Sequence, residues 1–437
     1  MITNPRMTRR KFTQAAVVGT AGLSALSARQ VLGANERIRL GFIGVANRGG
    51  QLMDAFLQHP DCQIVALCDV DKRTLEKANA KVEGRAETYT DFRKMLERKD
   101  LDAVVIATPD HWHALQTIWA CREGKDVYVE KPLSITIYEG RRMVEAARKY
   151  NRIVQVGTHR RSSPLYAQLA QLCRAGKVGK ITVSRAYRLS NMAPGGIGRA
   201  QPTQPPPGLD WDLWLGPRPA VPYRETIAPY KFRWWTPYSS QMANWGVHFL
   251  DVIRWMTEEL APASICAMGG RFAVDDDRTI PDTMEACFQF ASGRLAIFGQ
   301  YEASGNPMFP YGELELRGTL GTVYADERKF KIVPERGGQF QDPKPRMEPM
   351  EESLPPEVPK DNTILHARNF LDCIKTRQKP NADVEEGHRS TTMSLLANIS
   401  LVVGQRLEWD AQNEKIISPK EANDLLHYEY RKPWSLD

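Results

Sequence analysis

Three short stretches of this chain carry residue types that could move a hydride and a proton. The first, G44-V-A-N-R-G49, fits G-x-G-x-x-G with Ala46 at the middle glycine. In that pattern Gly44 makes a tight turn and Gly49 lets the following helix approach the strand. Backbone N–H groups around Ala46, Asn47 and Arg48 then face a pyrophosphate at the helix N-terminus. Asp69 stands 20 residues further on. It would accept from the adenosine ribose hydroxyls and repel a 2′-phosphate, so NAD is expected over NADP, with Arg73 near enough to weaken the preference. The second stretch, "YVEKPLS", ends a strand on Glu130–Lys131–Pro132. A lysine at a strand end facing a cofactor crevice loses water, which lowers its pKa toward a range useful for proton transfer. The third, "MANWGVHFLDVIRW", residues 242–255, sets Asn244, His248 and Asp251 into an otherwise apolar segment.

These residues need a scaffold, and the first 160 residues supply its pattern. From Ile38, apolar runs ("IRLGFIG", "QIVALCDV", "LDAVVIATP", "DVYVEKP", "RIVQVGTH") alternate with helical ones ("RGGQLMDAFLQH", "DKRTLEKANAKV", "DHWHALQTIWACREG", "ITIYEGRRMVEAARKY"). Continuous strand hydrophobicity with helices between predicts a doubly wound parallel sheet covered on both faces. Ligands bind beyond the carboxyl ends of such strands. There "ATPDHWH" places Thr108, Pro109 and His113, with Asp110 as a helix N-cap. The spacing predicts a helix over 241–256, with one apolar stripe through Met242, Trp245, Phe249, Val252, Ile253 and Met256. Asn244, His248, Asp251 and Trp255 form a second stripe. A helix buried on several sides must give such polar groups partners. On the residues alone, a histidine of this kind is most often a satisfied core group. Asp251 either orients the imidazole or bonds elsewhere.

Composition narrows the class. The chain has 437 residues, 42% apolar and 25% charged, which suits two soluble domains. Five of its +7 formal charges lie in residues 1–34, at Arg6, Arg9, Arg10, Lys11 and Arg29, which leaves +2 on the body and no electrostatic footprint for nucleic acid. That basic start, "MTRRKFTQAAVVGTAGLSALSA", reads as a twin-arginine export signal, too short and mild to span a bilayer, with cleavage expected after Ala28 or Ala34. The twin-arginine route carries folded proteins, so a cofactor loaded in the cytoplasm and a periplasmic destination are expected. The seven cysteines show no zinc spacing and mostly sit in apolar runs, so neither a metal site nor a required disulfide is expected.

The set G-F-I-G-x-x-x-R-G, A-T-P-D-H-W-H, E-K-P and G-T-H-R-R resembles the Gfo/Idh/MocA family, the group of glucose–fructose oxidoreductase and inositol dehydrogenase. The likeness runs from about Ile38 to Trp409, and "LDWDLWLGP" and "HARNFLDCIKTRQKPNADVEEGHRSTT" look like its exported, twin-arginine subgroup. The resemblance implies a Rossmann domain followed by an α/β domain with a large, open, mostly antiparallel sheet. It also implies NAD(P) and sugar or cyclitol substrates. In relatives the third stretch carries an aspartate and a histidine four residues apart that act with the E-K-P lysine. His248 matches that histidine, whereas Asn244 falls where many relatives have the aspartate, and an amide exchanges no proton. His248 is then expected as general base or acid, with Lys131 polarising the oxygen and sharing the proton. Asn244, His159 and Arg161 are expected to line the substrate pocket.

The expected division is a signal at 1–34, a cofactor domain at 35–157, a substrate domain at 158–410 and an extension at 411–437. "MEACFQF-ASGR-LAIFGQY" and "GELELRG-TLGT-VYADERKFKIV" read as hairpins, and residues 340–360 as a surface loop. The proline-rich insert 190–240 holds Trp211, Trp214, Trp234 and Trp235, so it is expected to be ordered, stacking on sugar rings or making an oligomer contact. The open sheet face predicts a homodimer or homotetramer. Three functions fit: an exported oxidoreductase acting on a sugar, cyclitol or glycoside hydroxyl with a tightly held, recycled cofactor; a glycoside-cleaving enzyme that oxidises transiently and eliminates; and an inert sugar-binding protein of the same fold, for which Asn244 is the only support.

Overall fold

The computed structural model describes residues 37–436, so the twin-arginine segment and its cleavage points lie outside the described residues. The first six strands are β1 (Ile38–Ile43), β2 (Cys62–Cys68), β3 (Glu87–Tyr89), β4 (Ala103–Ile106), β5 (Asp126–Val129) and β6 (Val154–Val156). They form one parallel sheet in the order β3-β2-β1-β4-β5-β6, the doubly wound arrangement expected from the continuous apolar runs. The order of strand addition reverses between β1 and β4, and the crevice lies at their carboxyl ends. β3 and the short helix at Phe92–Leu96 have no counterpart in the sequence reading. β3 is only three residues long and none of them is buried, so it carries no apolar run to read.

Helices α1 (Asn47–Phe56) and α2 (Lys72–Lys81) cover one face of this sheet. After the Phe92–Leu96 helix, α3, come α4 (His113–Arg122) and α5 (Ile137–Lys149) on the other face. Local chemistry fixes where they begin. Asp71 and Asp91 accept from the first turns of α2 and α3, and Thr136 with Glu139 forms a reciprocal capping box on α5.

After α6 (Pro164–Arg174), the second sheet begins with β7 (Ile181–Asn191). The insert follows, with α7 (Trp211–Leu215), then a wide π-turn at Met242–Gly246 and α8 (Val247–Thr257). The helix expected over 241–256 therefore starts as a π-turn. Next come β8 (Pro262–Gly270), β9 (Thr283–Phe290), β10 (Leu295–Tyr301), β11 (Ala303–Ser304), β12 (Leu314–Gly318), β13 (Gly321–Ala325), β14 (Lys329–Pro334) and β15 (Met350–Ser353). Helices α9 (Asn362–Thr376) and α10 (Val384–Val403) and strands β16 (Leu407–Asp410) and β17 (Lys415–Ser418) complete it. The order is β15-β14-β13-β12-β7-β10-β9-β8-β16-β17, with β11 pairing β7 off that path, and only the β7–β10 pair is parallel. α6, α8 and α10 pack on one face, where Phe249, Phe288, Phe298 and Leu396 share a core. The other face is uncovered, with Met268 76% exposed. Both expected hairpins form, but the second arm of the later one folds back into β13 and β14, and the loop at 340–360 contains the edge strand β15.

Two segments depart from the expected division. α9 packs on the first domain, where Phe370 meets Phe56 and Tyr128 edge-on. The extension past 410 is no appendage. β17 closes the second sheet, and the tail returns to the first domain, where Trp434 joins Phe92, Trp112 and Trp119. Arg431 meanwhile bonds Asp212 and the Gly216 carbonyl of the insert. All seven cysteines are free thiols.

Trp434 is 7% exposed, and truncating a buried tryptophan leaves a cavity. Trp434→Ala is expected to cost about 3–5 kcal/mol of stability, read as a lower urea midpoint at unchanged slope. An unchanged midpoint would show the tail to be decoration.

Candidate active site

The three stretches meet at the carboxyl ends of the parallel strands. Lys131 follows β5, and its ammonium donates to Asn244 Oδ1 at 2.7 Å and to the Asn244 carbonyl at 3.0 Å. The π-turn presents both acceptors of Asn244 to the one lysine, a recurring use of such wide turns at functional sites. One turn on, His248 is 6% exposed, with its ring 5.2 Å from that of His159 and 6.2 Å from that of Trp245. Nδ1 of His248 and Nδ1 of His159 have no partner within the protein. A buried ring nitrogen left so costs about 1–3 kcal/mol, which a bound hydroxyl would recover.

Burial sets the protonation of this corner. It pulls Lys131 down to about 8, with Glu130 opposing and Arg233 adding to the fall. Burial also drives His248 well below the ordinary imidazole range, and Lys131, His159, Arg160 and Arg48 push the same way. His248 is thus a neutral imidazole at pH 7, and the proton that can be exchanged near neutrality sits on Lys131. Burial first, and the charges of Lys131, Arg160 and Arg48 after it, leave His248 a weaker base than an ordinary imidazole. Glu130 works against its own burial: Arg48 at 2.8 Å and Lys131 hold its carboxyl below the ordinary range. It also accepts from the Lys131 N–H at 3.1 Å, so Glu130 braces the lysine instead of lining the groove.

Two expected site residues are used structurally. Arg161 is buried against Asp251 at 2.8 Å and Glu386 at 3.3 Å, so Asp251 does not orient His248. Surface position suggested neither partner, since they lie 90 and 225 residues away. His113 is fully buried, with Nδ1 2.8 Å from the Pro132 carbonyl and Nε2 3.0 Å from that of Thr108, so it ties β4 to β5 and does not face the cofactor groove.

The groove itself is lined by Gly44, Ala46, Asn47, Arg48, Asp69, Thr108 and Pro109, as expected, and fits a dinucleotide. Gly44 turns at φ +80°, and a side chain there would meet the Thr108 N–H nitrogen at 2.7 Å. A Cβ on Gly49 would overlap the Gly44 carbonyl, which is why helix and strand approach so closely. Asp69 accepts from the Val45 and Asp71 N–H groups at 3.0 Å each, while burial lifts its carboxyl to about 6. Arg73, also at the groove, pairs with Asp71 at 2.8 and 3.1 Å.

Sequence reasoning missed the cover of this groove. The insert is laced to the end of β2: Lys72 N–H donates to the Gly208 carbonyl at 3.0 Å and Asp210 N–H to that of Val70 at 2.9 Å. His111 and Trp112 also meet the Trp214 carbonyl, at 2.9 and 3.0 Å. Trp211 and Trp214 stack at 4.6 Å and pack with Tyr223, while Trp214, Tyr230, Phe232 and Arg233 roof the groove. Most of these aromatics thus build a core over the cofactor groove, where stacking on sugar rings or an oligomer contact was expected. Near the substrate end, Arg188 stacks on Trp245 at 3.8 Å. Among the described residues no group of three His, Cys, Asp or Glu is placed to hold a metal, and no helix is long and apolar enough to cross a membrane.

Comparison with known proteins agrees with this geometry. Residues 38–158 match the model of an oxidoreductase family with an NAD-binding Rossmann fold, 216–324 the GFO/IDH/MocA C-terminal domain, and 324–436 an oxidoreductase-family C-terminal α/β domain. An inositol 2-dehydrogenase of Saccharopolyspora erythraea is 34% identical over 164 residues, 37% of this chain and 48% of that protein. A glycosyl hydrolase family 109 protein of the same organism is 37% identical over 127 residues, 27% of this chain and 28% of its own length. The chain thus spans half or less of these curated relatives. Levoglucosan dehydrogenase with NADH and levoglucosan has the same fold at TM-score 0.66 and 16% identity, covering 85% of this chain and 99% of that one. Scyllo-inositol dehydrogenase of Lactobacillus casei with NAD(H) and scyllo-inositol follows at 0.60 and 19%, again over 85% and 99%.

Asp69 is the groove's discriminating charge. Asp69→Ala is expected to lower NAD affinity and erase most of the NAD-over-NADP preference in calorimetric titrations. A preference that survives the substitution would move the discrimination elsewhere.

Proposed function

The chain belongs to the Gfo/Idh/MocA oxidoreductase family, with an NAD-binding Rossmann domain, and we propose that it transfers a hydride between a hydroxyl of a sugar, cyclitol or glycoside and NAD. The observation that carries this reading is the partly buried Lys131 ammonium, held by Asn244 beyond the carboxyl end of β5. When bound, the nicotinamide supplies the hydride acceptor. The chain's own residues handle the proton. Lys131, pulled to about 8, gives up a proton near neutrality and in its amine form accepts the one leaving the substrate hydroxyl. His248 stays neutral and holds the same oxygen or its neighbour through its unpartnered ring nitrogen. Asn244 keeps the lysine aimed. His159 flanks the other side of the imidazole.

The roofed groove favours a retained, recycled cofactor, because an entering or leaving dinucleotide must part the contacts between Gly208–Asp210 and Val70–Lys72. Retention suits the second reading too: cleavage of a glycoside by oxidation at one carbon, loss of the acidified neighbouring proton, departure of the glycosidic oxygen, addition of water and return of the hydride. The glycosyl hydrolase family 109 relatives support it. Export through the twin-arginine route with the cofactor already inside, and pairing of copies through the uncovered sheet face near Met268, complete the proposal.

The purified protein, heated and spun, is expected to release NAD(H) in near-stoichiometric amount and little NADP(H). Its turnover on a panel of cyclitols, aldoses and glycosides then separates the readings, oxidised product marking the first and a freed aglycone the second. Absence of bound nucleotide together with no binding of added NAD would overturn both and leave an inert sugar-binding protein.

A further inference from the structure

Asn244 offers Lys131 its oxygen rather than its amide nitrogen, and the reason lies two residues deeper. Asn244 Nδ2 donates to Gln241 Oε1 at 3.0 Å, and Gln241 Nε2 donates to Glu302 Oε1 at 3.0 Å. Glu302, just past β10, is 3% exposed and receives two further donors. Trp234 Nε1 lies at 3.0 and 3.1 Å and Arg278 at 2.6 Å. Arg278 is wholly buried and also grips Asp276, at 2.9 and 3.0 Å. An amide can be turned either way in isolation, but a carboxylate only accepts and an ammonium only donates. With Glu302 ionised, Gln241 must point its NH2 inward, Asn244 must do the same, and the only polarity left at the outer end is an oxygen facing Lys131.

We propose that Glu302 is a remote positioning residue for Lys131, acting through Gln241 and Asn244 as a directional hydrogen-bonded relay that favours the lysine's ammonium form. A carboxylate removed by two amides thereby sets the lysine's charge state at a position where an amide stands beside it. Asp276 and Glu302 share the one buried Arg278, so Glu302 keeps an oxygen free to accept from Gln241. Arg188 also acts on Glu302 from β7. On the other side, Lys131 faces Glu130, Asp110, Arg233, Arg48 and His248, none of which the relay touches. Burial pushes Glu302 upward while Arg278 and Trp234 hold it down, so the relay has an acid-side limit where Glu302 takes a proton.

The inference rests on Lys131 as the proton-transfer group, so its test reads the lysine without turnover. The rate of Lys131 carbamylation by cyanate, followed by peptide mass spectrometry from pH 6 to 11 on the folded protein, gives the lysine's titration. In Glu302→Gln the inner end can donate as well as accept, the relay loses its direction, and the Lys131 midpoint is expected to fall by about one unit. Gln241→Met cuts the relay while leaving Glu302 on Arg278, and a fall in the same direction is expected there even if Glu302→Gln fails to fold. The exchange Gln241→Glu with Glu302→Gln restores a carboxylate one link nearer and should bring the midpoint back up, which a merely structural role would not do. An unchanged Lys131 titration in Gln241→Met and in any folded Glu302→Gln overturns the relay. A normal titration in a protein that transfers no hydride would instead sink the proposed function.

Discussion

The site depends on one partly buried ammonium held between two domains. Lys131 comes from the end of a parallel strand, its two acceptors come from a π-turn of the second domain, and neither domain alone satisfies it. A lysine in such a place is destabilised by lost hydration, and the partners that stop it from being neutral at all pH values have to be built from elsewhere. Glu130 supplies one such partner from beneath and is itself kept ionised by Arg48. The relay from Glu302 supplies polarity from the other side. The lysine is therefore poised instead of locked, which is what a group that must both hold and release a proton requires.

The same constraint explains the architecture around it. A poised lysine needs water kept out, and the insert, the tail and α9 all contribute to closing the first domain. The insert is tied to the end of β2, and the tail ties the insert in turn through Arg431 to Asp212. Trp434 touches Trp112, which lines the cofactor groove. Cofactor cover and the described end of the chain are thus one mechanical unit, although Arg431 and Asp212 lie 219 residues apart in the sequence.

Much of the cofactor domain was legible because its physics is local. Continuous apolar strands and a glycine at positive φ leave marks within a few residues of where they act, whereas the cap expected of Asp110 does not form, its carboxylate accepting from Ser239 instead. The Gly44–Gly49 turn and Asp69 stand at the groove and Lys131 at the end of β5, where their spacing put them. What could not be read depends on partners distant in the chain. Arg161 was expected at the substrate but is consumed by Asp251, 90 residues on within the second domain, and His113 by two carbonyls of its own domain whose approach only the folded sheet creates. The π-turn was invisible because a 3.6-residue period was assumed through Asn244. Gln241 did carry a signal, lying three residues before Asn244 on the same polar side, but Glu302 carried none beyond being an acid among apolar strand residues. The histidine's depressed basicity was not legible for a similar reason: it comes from burial and from Lys131, Arg160 and Arg48, which sequence spacing does not bring together.

The most direct measurement of the account is the pH dependence of the first hydride-transfer burst, recorded at 340 nm on rapid mixing of the NAD-loaded protein with an oxidisable sugar or cyclitol. The expected result is a rate that rises through a single ionisation near pH 8, as Lys131 becomes an amine, and that loses this limb together with most of its amplitude in Lys131→Met. A limb near 6.5 that survives in Lys131→Met and disappears in His248→Asn would contradict it, returning the proton to the histidine.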